Sequence, residues 1–165
     1  MIFDTDTVLF QGVFVTEQDC IDFGTVLANI LNSGDMLAIR GDLGVGKTRL
    51  CRAIIQALVG YAEDVPSPTF TLVQQYDSPR GPVHHFDFYR LEKPEDVLEL
   101  DIESAFYDGI SLMEWPDKMG PYLPMDCLNI TLSYNDQADQ PDGREIKITG
   151  PDSWRQRIGA VMQGQ

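Results

Sequence analysis

A three-layer α/β fold, with a mostly parallel central sheet and antiparallel additions, is predicted by three observations. Met36-Leu37-Ala38-Ile39 is a short apolar run fit for a strand buried on both faces, and Leu50, Ile54 and Leu58 then recur at helical spacing. Between those two runs stands Gly41-Asp42-Leu43-Gly44-Val45-Gly46-Lys47-Thr48, the G-x-x-x-x-G-K-[ST] pattern. Farther along, Leu128–Leu132 and Arg144–Thr149 alternate apolar and polar residues across a polar loop from Asn135 to Gly143, as antiparallel neighbours do. The fold expected is therefore P-loop NTPase-like, in one domain over residues 1–165.

The remaining elements follow from local chemistry. Thr16 with Asp19 three residues on reads as a helix N-cap, and Ile21, Leu27, Ile30 and Leu31 mark one face of a helix ending near Gly34. Gly60 is placed to cap the helix that follows the loop. Ser67-Pro68-Thr69-Phe70 is a proline-stiffened turn, Thr71-Leu72-Val73 a strand, and Ser78–Pro82 a turn leading into the strand Val83–Phe88; the two strands pair as a hairpin. Pro94-Glu95-Asp96 opens a short helix whose apolar side is Val97, Leu98 and Leu100, and Ile102–Phe106 forms another. Ile110–Met113 is a strand ending at Glu114, with Pro116 as a breaker, and Asp152–Val161 closes as a helix.

Composition bounds what the chain does. Hydrophobic and charged fractions of 43% and 23% are those of a globular protein, and no apolar run nears the roughly 20 residues that span a bilayer. Met1–Phe10 carries Asp4 and Asp6 without a basic residue, so it reads as neither a signal nor a transit peptide, and the expected location is the cytoplasm, with no membrane partner. Cys20, Cys51 and Cys127 lack a C-x-x-C spacing and are expected to be reduced core residues rather than a disulfide or zinc site. A net charge of −14, with only 12 Lys and Arg, repels a phosphate backbone and argues against direct tRNA or DNA binding.

The loop itself implies a nucleoside triphosphate. Its glycines let the backbone curl with N–H groups inward, the helix behind presents its positive end, Lys47 reaches the outer phosphates and Thr48 offers a hydroxyl to magnesium. Hydrolysis also needs a carboxylate near the metal and an oriented water. Glu114, at the carboxyl end of an apolar strand, is placed to be the metal ligand; the alternative is a surface glutamate. Asp87, between Phe86 and Phe88, is open to three readings: a water-mediated metal contact, positioning of the attacking water, or pairing with Arg90. Thr69 is either a switch-type threonine that senses the terminal phosphate or an ordinary turn residue. His84 and His85 point to opposite strand faces, one to solvent and one packed, so they do not form a metal pair. Trp115 packs at the core rim or stacks on a base or partner, and Arg144 either reaches the nucleotide or faces solvent.

Taken in order and spacing, Gly41–Thr48, Ser67–Val73, His85-Phe86-Asp87-Phe88-Tyr89-Arg90-Leu91 and Glu114-Trp115-Pro116 resemble the TsaE (YjeE) family of small bacterial ATPases in tRNA threonylcarbamoyladenosine synthesis. The resemblance runs from Thr16 to Pro124, with a looser match at Gly143-Arg144-Glu145. It implies a P-loop fold that binds ATP with Mg2+, hydrolyses it slowly alone, and joins the TsaB and TsaD proteins, touching tRNA only through that assembly. It also implies roles: Lys47 on the phosphates, Thr48 and Glu114 on magnesium, Asp87 in hydrolysis, Thr69 as a switch, and Glu17 and Arg144 near the nucleotide. The chain departs from the family pattern at Arg49, where a second threonine is frequent, and at Phe88, where leucine is; only local contacts are expected to change.

The rival function is a P-loop small-molecule kinase. Such an enzyme normally closes an arginine-bearing lid over its substrates, and between Arg90 and Arg144 the only basic residues are Lys93 and Lys118, which favours hydrolysis. A guanine-reading N-K-x-D motif is absent from the sequence, which disfavours a GTPase.

Overall fold

The computed structural model describes residues 7–135 and 142–162, so residues 136–141 of the polar loop lie outside the described residues. Seven strands form one sheet: β1 (Val8–Phe14), β2 (Met36–Arg40), β3 (Val73–Tyr76), β4 (Val83–Asp87), β5 (Ile110–Glu114), β6 (Leu128–Tyr134) and β7 (Arg144–Thr149). Their order across the sheet is β1-β7-β6-β2-β5-β4-β3. The central strands β6, β2, β5 and β4 are mutually parallel, and β7 and β3 run antiparallel at the flanks, as does β1 to β7.

Helices α1 (Glu17–Ala28), α2 (Lys47–Val59) and α4 (Asp152–Met162) cover one face. The 3-10 segments Pro94–Leu100 and Pro116–Tyr122, with α3 (Ile102–Asp108), cover the other. Strand β2 shows why both layers are needed. Leu37 and Ile39 pack toward the helices, Met36 and Ala38 toward the opposite layer, and all four are buried. A parallel strand covered on both faces carries no polar side to show to water.

Helix α1 begins as predicted, with reciprocal hydrogen bonds between Thr16 and Asp19, but its buried face is Cys20, Phe23, Gly24, Leu27 and Ala28, whereas Ile21 is 40% exposed. The inward stripe is set by contact with α2. A Cβ on Gly24 would lie 2.7 Å from Ala53 Cβ, so the two helices approach through this glycine. Gly24→Leu is therefore expected to lower unfolding free energy by about 2 kcal/mol in urea titration, by overpacking a seam with no room to relax.

Three further differences from expectation each have a physical cause. Strand β1 went unforeseen; it is an edge strand defined by pairing with β7. The third strand starts later than Thr71, because Leu72 takes a left-handed conformation, φ 69°, and its N–H donates to the Pro68 carbonyl. Leu98 is 54% exposed, leaving Val97 as the buried member of its turn. The hairpin of β3 with β4, the β6–β7 pairing and the cap at Gly60, φ 92°, are as expected. Among the described residues no helix is long and apolar enough to cross a membrane, and the three cysteines are buried and free.

Candidate functional site

Strand β2 delivers the chain to the loop at the carboxyl edge of the parallel strands, and α2 leaves from it at Lys47. The loop is seated against β6: a Cβ on Gly41, φ 151°, would meet the Leu132 carbonyl oxygen at 2.6 Å. Gly46 enters α2 with φ 119° and offers no side-chain cap, so the amides of the first helical turn are left for an outside acceptor. Lys47 is 4% exposed; its Nζ donates to the carbonyls of Gly41 at 2.6 Å and Asp42 at 2.8 Å, and it lies 4.3 Å from the Trp115 ring centre. Burial pushes its pKa down, opposed by the carboxylates of Glu114, Asp87 and Asp42.

Strands β4 and β5 bring two acids to the same edge, since Asp87 pairs in register with Glu114. Both are buried. The Thr48 hydroxyl donates to Glu114, at 2.9 and 3.1 Å from its two oxygens, which excludes the surface reading of that glutamate. Asp87 accepts from the Thr69 hydroxyl at 3.0 Å, the Ser67 hydroxyl at 3.3 Å and the Tyr89 N–H at 3.0 Å. Arg90, three residues on, instead lies over the Phe70 ring at 4.1 Å, so the pairing of Asp87 with Arg90 is not the one the fold makes. The Thr69 hydroxyl thus ties its turn to Asp87.

Sequence reading missed His85. Its ring is fully buried and its Nε2 lies 2.6 Å from Glu114 Oε2, donating to the carboxylate. The signal was present: on a strand, residues two apart share a face, so His85 stands beside Asp87. His84 does point to the opposite face, but it stacks on Phe86 half-buried instead of facing solvent.

Two cavities flank the loop. One, of about 280 Å3, is lined by Lys47, Thr48, Thr69, Asp87, Glu114 and Trp115 among others. The second, of about 450 Å3, lies on the other side of Gly46 and is lined by Val15, Glu17, Cys20, Val45 and Arg144 among others. Arg144 Nε donates to the Val45 carbonyl at 2.9 Å while its guanidinium lies over the Tyr134 ring, so this arginine turns toward the loop, away from open solvent. Glu17 faces Arg49 at 3.8 Å across the mouth, giving the departure at position 49 a local contact. Of the residues singled out, Lys47, Thr48, Thr69, Asp87 and Glu114 converge on the first cavity, and Glu17 and Arg144 on the second.

A glycine loop opening a helix, at the carboxyl edge of a parallel sheet covered on both faces, defines a P-loop α/β protein. The chain belongs to the TsaE family: residues 14–146 match the family model described as "Threonylcarbamoyl adenosine biosynthesis protein TsaE". Relatives described as tRNA threonylcarbamoyladenosine biosynthesis protein TsaE include that of Rickettsia bellii, 35% identical over 84% of this chain and 94% of its own length. The Nostoc sp. protein is 34% identical over 90% and 89%, and the Haemophilus influenzae protein 37% identical over 74% and 80%. The crystal structure of YdiB from Bacillus subtilis shares the fold, with a TM-score of 0.78 and 24% identity over 96% of this chain and 97% of that one.

Proposed function

We propose that this protein is a magnesium-dependent ATPase that supports repeated turnover of the complex making threonylcarbamoyladenosine beside the anticodon of tRNAs. The observation that carries the reading is the convergence of Lys47, Thr48, Thr69, Asp87 and Glu114 on one cavity, separated by the loop from a second cavity of a size to take a nucleoside. Adenine and ribose would occupy the larger cavity between Glu17 and Arg144, and the phosphates would run past Gly44 and Gly46 into the smaller one.

The residues divide the work. Loop amides and Lys47 hold the phosphate oxygens, and on binding Lys47 exchanges its carbonyl partners Gly41 and Asp42 for anionic ones, a stronger bond for an ammonium. Thr48 and Glu114 would hold the magnesium; two hard oxygen donors about 3 Å apart fit an ion that keeps most of its waters. An ion held there would supply positive charge against the phosphate oxygens. Asp87 would accept a hydrogen bond from the attacking water and so align it with the γ-phosphorus; as the new P–O bond forms, the bond from the γ-phosphorus to the ADP oxygen breaks, and the water's proton passes to the departing inorganic phosphate. Thr69, fastened to Asp87, couples the 67–72 segment to the state of that water. Thr69→Val is accordingly expected to lower kcat by about tenfold while leaving ATP affinity within a factor of about two, measured by phosphate release and calorimetry.

The partners proposed are TsaB and TsaD, with tRNA gripped by that assembly rather than by this acidic chain, whose net charge is −14. The test is hydrolysis of γ-labelled ATP by the chain alone and with both partners and tRNA. Faster release of inorganic phosphate in the assembly supports the reading, and label appearing on a small metabolite overturns it in favour of the kinase. Cytoplasmic residence belongs to the same proposal, since tRNA modification takes place there.

A further inference from the structure

Behind the phosphate cavity lies a group of side chains that nucleotide hydrolysis does not fully use. Cys51 from α2, His85 from β4 and Glu114 from β5 are all buried, and one donor atom from each lies within 4.8 Å of the other two. Donors around a zinc-sized ion bound at about 2.0–2.3 Å stand roughly 3.3–3.8 Å apart, so the three need only side-chain adjustments of about an ångström. One ring nitrogen already faces the donor set, since His85 Nε2 stands 2.6 Å from Glu114 Oε2 in a fully buried setting.

We propose that Cys51, His85 and Glu114 form a binding site for a thiophilic divalent cation of the zinc class, and that filling it draws Glu114 away from Thr48. The first half stands on the donor set alone; the second rests on the hydrolytic reading above. Donor softness sets the class. One sulfur and one imidazole nitrogen beside a single carboxylate select zinc or cobalt over magnesium, whereas the Thr48–Glu114 pair offers oxygen only. Three protein ligands leave a fourth position for water. Glu114 lines the phosphate cavity and Cys51 lies one turn beyond Thr48 on α2, so the donor set adjoins that cavity. As the metal–sulfur bond forms, the Cys51 thiol proton leaves to solvent and no electron is transferred.

The site therefore opposes the hydrolytic one: a single carboxylate serves either magnesium with Thr48 or the softer ion with Cys51 and His85. The ligands lie 29 and 34 residues or more apart in the chain, on three different elements, which is why no spacing motif announces them.

The test uses cobalt(II) as an optical probe on the full chain without nucleotide. One equivalent should produce a near-ultraviolet thiolate-to-cobalt band, displaced by zinc. Cys51→Ala, with its fold checked by circular dichroism and cooperative unfolding, should lose the band and bind zinc more than about 100-fold more weakly, beyond the loss typical of residues that merely orient a ligand. Cys51→Val, which keeps the core filled, should behave the same and replaces it if the alanine variant unfolds. No band in the wild-type chain, or a band retained in the folded variants, overturns the site. Zinc that saturates the wild-type site should also suppress its magnesium-ATP hydrolysis, and do so far less in the Cys51 variants; equal suppression in both overturns the antagonism. A chain without ATPase activity would still give the cobalt band, so the two proposals fail separately.

Discussion

Lys47→Ala should weaken ATP binding by about 100-fold or more, because a buried ammonium on the phosphates is worth several kcal/mol that no neighbour can supply. Lys47 is buried between the loop and Trp115, whereas the other cations that line the cavity, Arg49 and Arg52, lie farther along α2, and Arg49 is half-exposed and turned toward Glu17. The same change leaves the Gly41 and Asp42 carbonyls without their donor, so a modest loss of stability accompanies the loss of affinity. Lys47→Arg is not a rescue: a planar fork does not fit where a compact ammonium sits between two carbonyls 2.6 and 2.8 Å away. Calorimetric titration with ATP and magnesium, on variants that still unfold cooperatively, reads the effect directly.

Glu114→Gln should show the opposite pattern, with ATP affinity reduced only a few-fold and kcat lower by about 100-fold or more. The amide keeps the shape that Thr48 and His85 pack against, but it lacks the charge that holds a divalent ion. Dependence of the rate on magnesium concentration should flatten in this variant, as it should in Thr48→Ala, where the other oxygen donor is gone. Unchanged hydrolysis in Glu114→Gln would remove this residue from the metal site and leave the phosphate-binding role of the loop intact.

What could be read from the sequence was what local chemistry encodes. The loop, strands β2 and β5 and the Thr16 cap each carry their signal within a few residues, and Glu114 inherits its place from the strand that ends on it. Strand β1 could not be read in that way, since Val8–Phe14 has only a weak alternation and exists because β7, far along the chain, supplies its hydrogen-bond partners. Arg90 misled through proximity. Beside Asp87 in sequence, it is carried off by the turn that follows β4, where Leu91 N–H donates to the Phe88 carbonyl, and it settles on Phe70. His85 shares its strand face with Asp87 rather than with its neighbour His84, and its partner Glu114 lies on the next strand, visible only once β4 and β5 are in register.

Every role proposed for the site requires the turn from Gly41 to Thr48 to clasp a triphosphate. Titrating the wild-type chain with ATP and magnesium, following heat, measures it most directly. Saturable binding at one site is expected, weakened about 100-fold or more in Lys47→Ala and retained in Glu114→Gln. No saturable heat with the wild-type chain, or equal affinity in Lys47→Ala, would contradict it.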